Sequence, residues 1–264
     1  MVCAGECGAQ SSVVARQAIA LAPEGVPVAL VGAVDLEAAE RAMQPMSGEM
    51  DTGQLIAPIP VGAAQMLSDA MREDLETTRA AVADLAPGTT VSLVEGPLIL
   101  AMREEAADDT GVLLAIDAPH EARTLGMLGG EPATWLLHET TLPVLLGRAA
   151  KGSEPFPRSI AAGYDGGPTS TIAVEAAGEI AARTGAELRI VIAKGGPKGG
   201  IGDLAAGLPA HEVVHENSSP VHALSELDVD LIVVGSRGLH GLRALGSVSE
   251  RVAHKAHASV LVVR

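Results

Sequence analysis

An internal repeat constrains this chain more than any other feature. Val2-Cys3-Ala4-Gly5-Glu6-Cys7-Gly8-Ala9-Gln10-Ser11-Ser12 lines up with Ile160-Ala161-Ala162-Gly163-Tyr164-Asp165-Gly166-Gly167-Pro168-Thr169-Ser170. Each segment is a short apolar strand, a glycine turn and a hydroxyl-bearing helix start. Apolar helical patterns follow, Val13 to Ala22 and Ile172 to Ala182, and then strands, Val28 to Val31 and Leu188 to Ile192. The copies also end alike: Leu113 to Ile116 mirrors Leu231 to Val234, and a glycine-containing loop follows each. A helix carrying His138 or His254 comes next, and Val144-Leu145-Leu146 then matches Val260-Leu261-Val262. Apolar strands alternating with helices predict a parallel sheet covered on both faces, with five strands per copy.

The repeat sets the domain organisation: a first domain over 1–148, a linker over 149–157 where Gly, Pro and charge cluster, and a second domain over 158–264. The length of 264 residues suits one or two domains of ~100–200 residues. The copies differ in the middle. The first carries a Met-, Pro- and Gly-rich segment from Glu37 to Gln65 that reads as a loop, then a helical pattern from about Ala64 to Leu85. The second has only the glycine-rich stretch from Lys194 to Pro209, with at most a short helix at Gly202 to Ala206.

Composition narrows the function. One Trp, one Tyr and one Phe leave the cores to Val, Leu, Ile, Ala and Met, and remove the stacking platforms of single-strand nucleic acid binders. A formal net charge of -15 repels phosphate backbones and anionic lipid, so neither nucleic acid nor membrane is an expected partner. A local anion site remains compatible with that charge, because a helix N-terminus holds phosphate by backbone donors. No run of about 18 apolar residues reads as a membrane span. The start lacks a basic region before an apolar run, and Glu6 interrupts it, which argues against a secretory signal. Two cysteines, Cys3 and Cys7, make no disulfide framework and fit a reducing cytoplasm. The pairs His211/His215 and His254/His257 have spacings open to metal, but no thiol or carboxylate cluster accompanies them. No metal site is expected. Nothing resembles a nucleophile–base triad or a catalytic carboxylate pair.

In a doubly wound sheet, ligands bind beyond the carboxyl ends of the strands where strand order reverses. In the second copy three segments converge there. They are Gly163-Tyr164-Asp165, the end of the second strand near Ile192, and Val234-Gly235 running to Gly246-Ser247-Val248-Ser249. Ser247 to Glu250 is also a capping box, and Asp165-Gly166 is also a tight strand-to-helix turn.

Val233-Val234-Gly235-Ser236-Arg237-Gly238, Gly246-Ser247-Val248-Ser249-Glu250-Arg251-Val252, His254 and Ser259 to Val263 together resemble the C-terminal signature of the universal stress protein (UspA) family. Tyr164-Asp165-Gly166 resembles its N-terminal signature. The resemblance spans Arg158 to Arg264, with a weaker version over Val2 to Arg148. It implies a tandem form of two Rossmann-like (adenine nucleotide alpha hydrolase-like) α/β domains, each a five-stranded parallel sheet flanked by helices. It implies a stress-response regulator that holds ATP, alone or with magnesium, rather than an enzyme; a slow ATPase ranks last, because no general base is evident near the proposed phosphates. Within the family the final strands of two domains pair, which implies an intramolecular pseudo-dimer and allows a homodimer. The alternative is an interaction protein of the same fold that has lost its ligand.

Carried over residue by residue, Gly235 and Gly238 would approach phosphates by backbone, Gly246 and Ser247 would hold them at a helix start, and Val248 and Ser249 would extend the cradle. Asp165 would meet the adenosine end and the chain near Ile192 would line the base pocket, with Gly163, Tyr164, Ile192 and Val234 in the nucleotide-binding set. The sequence departs from the family spacing: seven residues, not nine, separate Gly238 from Gly246. The first copy lacks the signature. Cys7 replaces Asp165, Asp117 and His120 replace Gly235 and Gly238, and Glu131-Pro132 follow Gly130. A carboxylate there repels phosphate and a proline removes a donor, so one nucleotide per chain is expected.

Overall fold

In the computed structural model the chain is described over residues 1–6, 11–36, 61–106, 111–118, 132–148, 155–199, 201–236 and 247–264. The first half runs β1 (Val2–Glu6), α1 (Ser11–Leu21), β2 (Val28–Val34), α2 (Val61–Ala81), β3 (Thr90–Glu95), α3 (Leu98–Ala106), β4 (Leu113–Asp117), α4 (Pro132–Glu139) and β5 (Val144–Gly147). The second runs β6 (Ser159–Gly163), α5 (Pro168–Thr184), β7 (Glu187–Ile192), a 3-10 turn (Gly202–Gly207), β8 (His211–His215), α6 (Pro220–Ser225), β9 (Leu231–Gly235), α7 (Val248–Lys255) and β10 (Ser259–Val263). The helix expected from Ala64 to Leu85 is thus α2, displaced toward the N-terminus. Of the expected linker, 149–154 lies outside the described residues.

The ten strands of the described residues form one sheet in the order β3-β2-β1-β4-β5-β10-β9-β6-β7-β8. Every pair within a half is parallel, and the single joint between halves, β5 with β10, is antiparallel. At that joint Val144 stands opposite Val262 and Leu146 opposite Val260, with Leu145 facing Leu261. Each half reverses direction between its first and fourth strands, β1/β4 and β6/β9, which are the switch points of this topology.

Strand alternation divides the core into two layers. Val2, Ala4, Ile160, Ala162, Leu231 and Val233 face the layer roofed by α1, α2 and α5. Cys3, Ala161, Ile232, Val234, Val260 and Val262 face the layer roofed by α3, α4, α6 and α7. Both layers run across the joint, so the halves share their hydrophobic interior. Burial of both faces explains why the strands read as continuous aliphatic runs.

Local chemistry starts and stops the helices that border the switch point of the second half. Pro168 sits in the first turn of α5, where a missing N–H costs nothing, and Gly167 precedes it as the cap. Gly185 ends α5 at φ 74°, donating its N–H back to the Ala181 carbonyl. Ser247 caps α7, its side chain accepting from the Glu250 N–H.

Candidate functional site

The carboxyl ends of β6, β7 and β9 open into a cleft with two adjoining compartments. The inner one, of about 260 Å³, lies between the β6–α5 turn and the end of β7. Gly163, Tyr164, Val191, Ala193, Leu224 and Val234 give it mostly apolar walls. The outer one, of about 250 Å³, lies toward the joint, where Ser236, Ser247, Glu250 and Val262 meet Leu137 and His138 of the first half. Asp165, Thr169, Gly235, Val248 and Ser249 line both, so the two are one continuous groove passing the start of α7.

Most residues singled out from sequence lie on this groove: Gly163, Tyr164 and Val234 on the inner compartment, Ser247 on the outer, and Asp165, Gly235, Val248 and Ser249 on both. Gly238 and Gly246 lie outside the described residues, as do Arg237 and the rest of their loop. Ile192 is a correction. Its side chain is 2% exposed and belongs to the core layer under α5. The pleat turns it away from the cleft, and its neighbours Val191 and Ala193 line the cleft instead.

Several of these residues have a structural duty of their own. A Cβ on Gly235 would strike the backbone carbonyl of Thr169, so glycine is required there by the close approach of α5 to the end of β9. Asp165 Oδ1 accepts the Gly167 N–H at 2.8 Å, the Asx turn that carries β6 into α5, and Gly166 follows at φ 84°. Ser170 Oγ donates to the Gly167 carbonyl at 2.8 Å and so locks the same turn. At α7, Glu250 N–H donates to Ser247 Oγ at 3.2 Å, and the Ser247 and Ser249 hydroxyls are 3.2 Å apart. The serine half of the capping box is formed, and the Glu250 carboxylate lies 3.3 Å from His138 Nε2.

Sequence reasoning missed Lys194, His138 and Thr169. Lys194 lines the inner compartment two residues beyond β7, with its N–H donating to the Ser218 carbonyl at 3.0 Å. Lys194 follows β7, the strand beside β6, so its place at the carboxyl ends of the strands was readable from the repeat. His138 was not, because only the β5–β10 register brings α4 against α7.

His211 and His215 sit four apart on β8, about 13 Å along an extended strand. His254, in the last turn of α7, has its Nε2 3.3 Å from Thr134 Oγ1. No metal-holding cluster of three or more His, Cys, Asp or Glu exists among the described residues. Among those residues no helix is long and apolar enough to cross a membrane. In the first half, Asp117 ends β4 at the place of Gly235 and Pro132 opens α4, while Cys7, His120, Gly130 and Glu131 lie outside the described residues.

Comparisons with known proteins match two separate segments of the chain. Residues 202–264 match the model of the Universal stress protein family, and residues 1–94 match that of the UGSC family. Universal stress protein YxiE of Bacillus subtilis strain 168 is 48% identical over 62 residues, which is 23% of this chain and 37% of that protein. The chain therefore matches well under half the length of that relative. A universal stress protein structure from Archaeoglobus fulgidus superposes over 100% of this chain and 95% of its own, with a TM-score of 0.71 at 18% identity. A Pseudomonas aeruginosa PAO1 protein of unknown function superposes over 99% of this chain and 91% of its own, with a TM-score of 0.54 at 16% identity. At those identities the structures speak for the fold. The universal stress protein likeness in sequence is carried by residues 202–264, the end of the second half.

Proposed function

We propose that the second half, residues 158–264, binds one adenine nucleotide per chain, and that the protein is a nucleotide-holding regulator of a cytoplasmic stress response rather than an enzyme. The observation that carries this is the continuous groove at the β6/β9 switch point, apolar at its inner end and running past the capped N-terminus of α7. The inner walls suit a base and ribose, with Asp165 placed to accept ribose hydroxyls and Lys194 to offset charge. Ser247, Ser249 and the first turn of α7 offer hydroxyl and dipolar complementarity to phosphate. Gly238 and Gly246 complete the phosphate cradle in this reading, with or without magnesium. Residues 1–148 form a domain of the same build without the phosphate signature, so the β5–β10 joint makes the chain an intramolecular pseudo-dimer, with a homodimer as its further assembly.

Calorimetric titration with ATP and magnesium tests the reading. A stoichiometry near one per chain is expected, with no phosphate released on the timescale of binding. A stoichiometry of two would place a site in the first half and overturn the asymmetry. The second reading, an interaction protein without a nucleotide, is favoured by the seven-residue Gly238–Gly246 spacing, and complete absence of heat and of competing AMP binding would select it.

A further inference from the structure

The groove is not built by the second half alone. Leu137 and His138, on α4 of the first half, form its wall opposite the start of α7. The His138 and Glu250 side chains are only 14% and 12% exposed, so their contact at 3.3 Å is largely shielded from water. Glu250 lies in the first turn of α7. A carboxylate in a first turn complements the helix dipole by itself and repels any other anion that approaches the same N–H groups. Left to itself, Glu250 would compete with phosphate. The equivalent contact across the joint differs: His254 meets the hydroxyl of Thr134, not a carboxylate. The histidine–carboxylate pair thus occurs on the side of the joint that carries the groove.

We propose that His138 is a positioning residue for the groove of the second half. It holds the Glu250 carboxylate against α4, which leaves the α7 N-terminus to the phosphates of a nucleotide. The first half, without a phosphate signature of its own, then sets how strongly the second half discriminates a nucleotide from an uncharged nucleoside. This rests on the nucleotide reading of the same groove.

The test compares ATP with adenosine on the full chain. His138→Gln should weaken ATP about fivefold, the order expected for one charge near a helix terminus, and leave adenosine unchanged. The double variant H138Q/E250Q should recover the ATP affinity. Glu250→Gln alone, which leaves His138 in place, should bind ATP at least as well as the parent and covers the case in which H138Q does not fold. Unchanged ATP affinity in H138Q, equal losses of ATP and adenosine, no recovery in the double variant, or weaker ATP binding in E250Q would each overturn the proposal. Failure of the unaltered chain to bind ATP would overturn the nucleotide reading and this inference together. Normal ATP binding without the ATP–adenosine split would overturn this inference alone.

Discussion

Arg148 and Arg264 make the same contact in opposite directions across the joint between the halves. Arg148 Nη2 donates to the Ala253 carbonyl at 2.7 Å, and Arg264 Nη2 donates to the Leu137 carbonyl at 2.6 Å. Each arginine follows the final strand of its half, and each acceptor precedes the histidine of the opposite half's last helix. The two halves therefore make matching contacts across the joint that binds them. Arg148 is the more engaged of the two. Its Nη1 also donates to the Ala258 carbonyl at 3.0 Å, and its own carbonyl accepts from Gln17 Nε2 at 2.6 Å. Gln17, 3% exposed, takes the Ser259 hydroxyl on its other end at 2.9 Å.

Arg148→Met should cost about 2–3 kcal/mol, because it leaves two carbonyls in the joint without their donor. Burial pushes the Arg148 guanidinium down to about 10, so it remains a cation at neutral pH and its desolvation offsets part of the gain from its bonds. Arg264→Met removes one such bond and should cost less. Urea unfolding of the two variants beside the parent reads the difference, and an unchanged midpoint for R148M would remove the arginine from any role at the joint.

Gly235→Ala should destabilise the fold by about 2–4 kcal/mol whether or not a nucleotide binds, since the added methyl meets main chain that cannot rotate away. Gly178→Ala is the comparison: its Cβ would meet Leu208 Cδ2 at 2.6 Å, the end of a side chain rather than main chain, with Pro209 Cδ at 3.5 Å. Thermal melting without ligand should therefore rank the variants G178A above G235A, and the reverse order would refute the backbone argument.

The sheet was legible in the sequence because both of its faces are buried, which forces aliphatic runs such as Leu231 to Val234 into plain view. The switch point followed from the repeat and from alternation of strands with helices. β3 and β8 showed less clearly. They are the two edges of the sheet, and their half-buried patterns, as in Thr90–Glu95 and His211–His215, mix polar residues among apolar ones. At the site, the turn at Asp165 and the cap at Ser247 are local and were readable from neighbouring residues. The orientation of Ile192 depends on pleat register, and the arrival of His138 depends on how β5 meets β10. Neither is encoded within a few residues of the motif.

Asp165→Asn separates turn from ligand. The amide keeps the Oδ1 that accepts the Gly167 N–H, so the β6–α5 turn and the melting temperature should persist. A ligand hydroxyl loses its charged acceptor, and affinity for ATP should fall about tenfold. Asp165→Ala should lose the turn as well, by about 1 kcal/mol in stability. Equal ATP affinity for D165N and parent would confine Asp165 to the turn.

Cys3 should be chemically silent in the folded chain. Its side chain is 0% exposed in the core layer under α3, with its Sγ 3.8 Å from the Met102 carbonyl. Burial, with the Glu105 carboxylate adding to it, pushes its thiol up to about 12 from the usual 9.0. Only the thiolate is nucleophilic, so a Cys7→Ser chain should not react with a thiol reagent at neutral pH until it is unfolded. The same shift fixes a sign for alkaline stability. Between 9.0 and about 12 the unfolded chain releases the Cys3 proton while the folded chain retains it, so stability contributed at this position is present below that window and lost as pH rises through it. Cys3→Ala should flatten this part of the decline. Rapid native labelling of the C7S chain, or an alkaline decline unchanged by C3A, would place Cys3 outside the core.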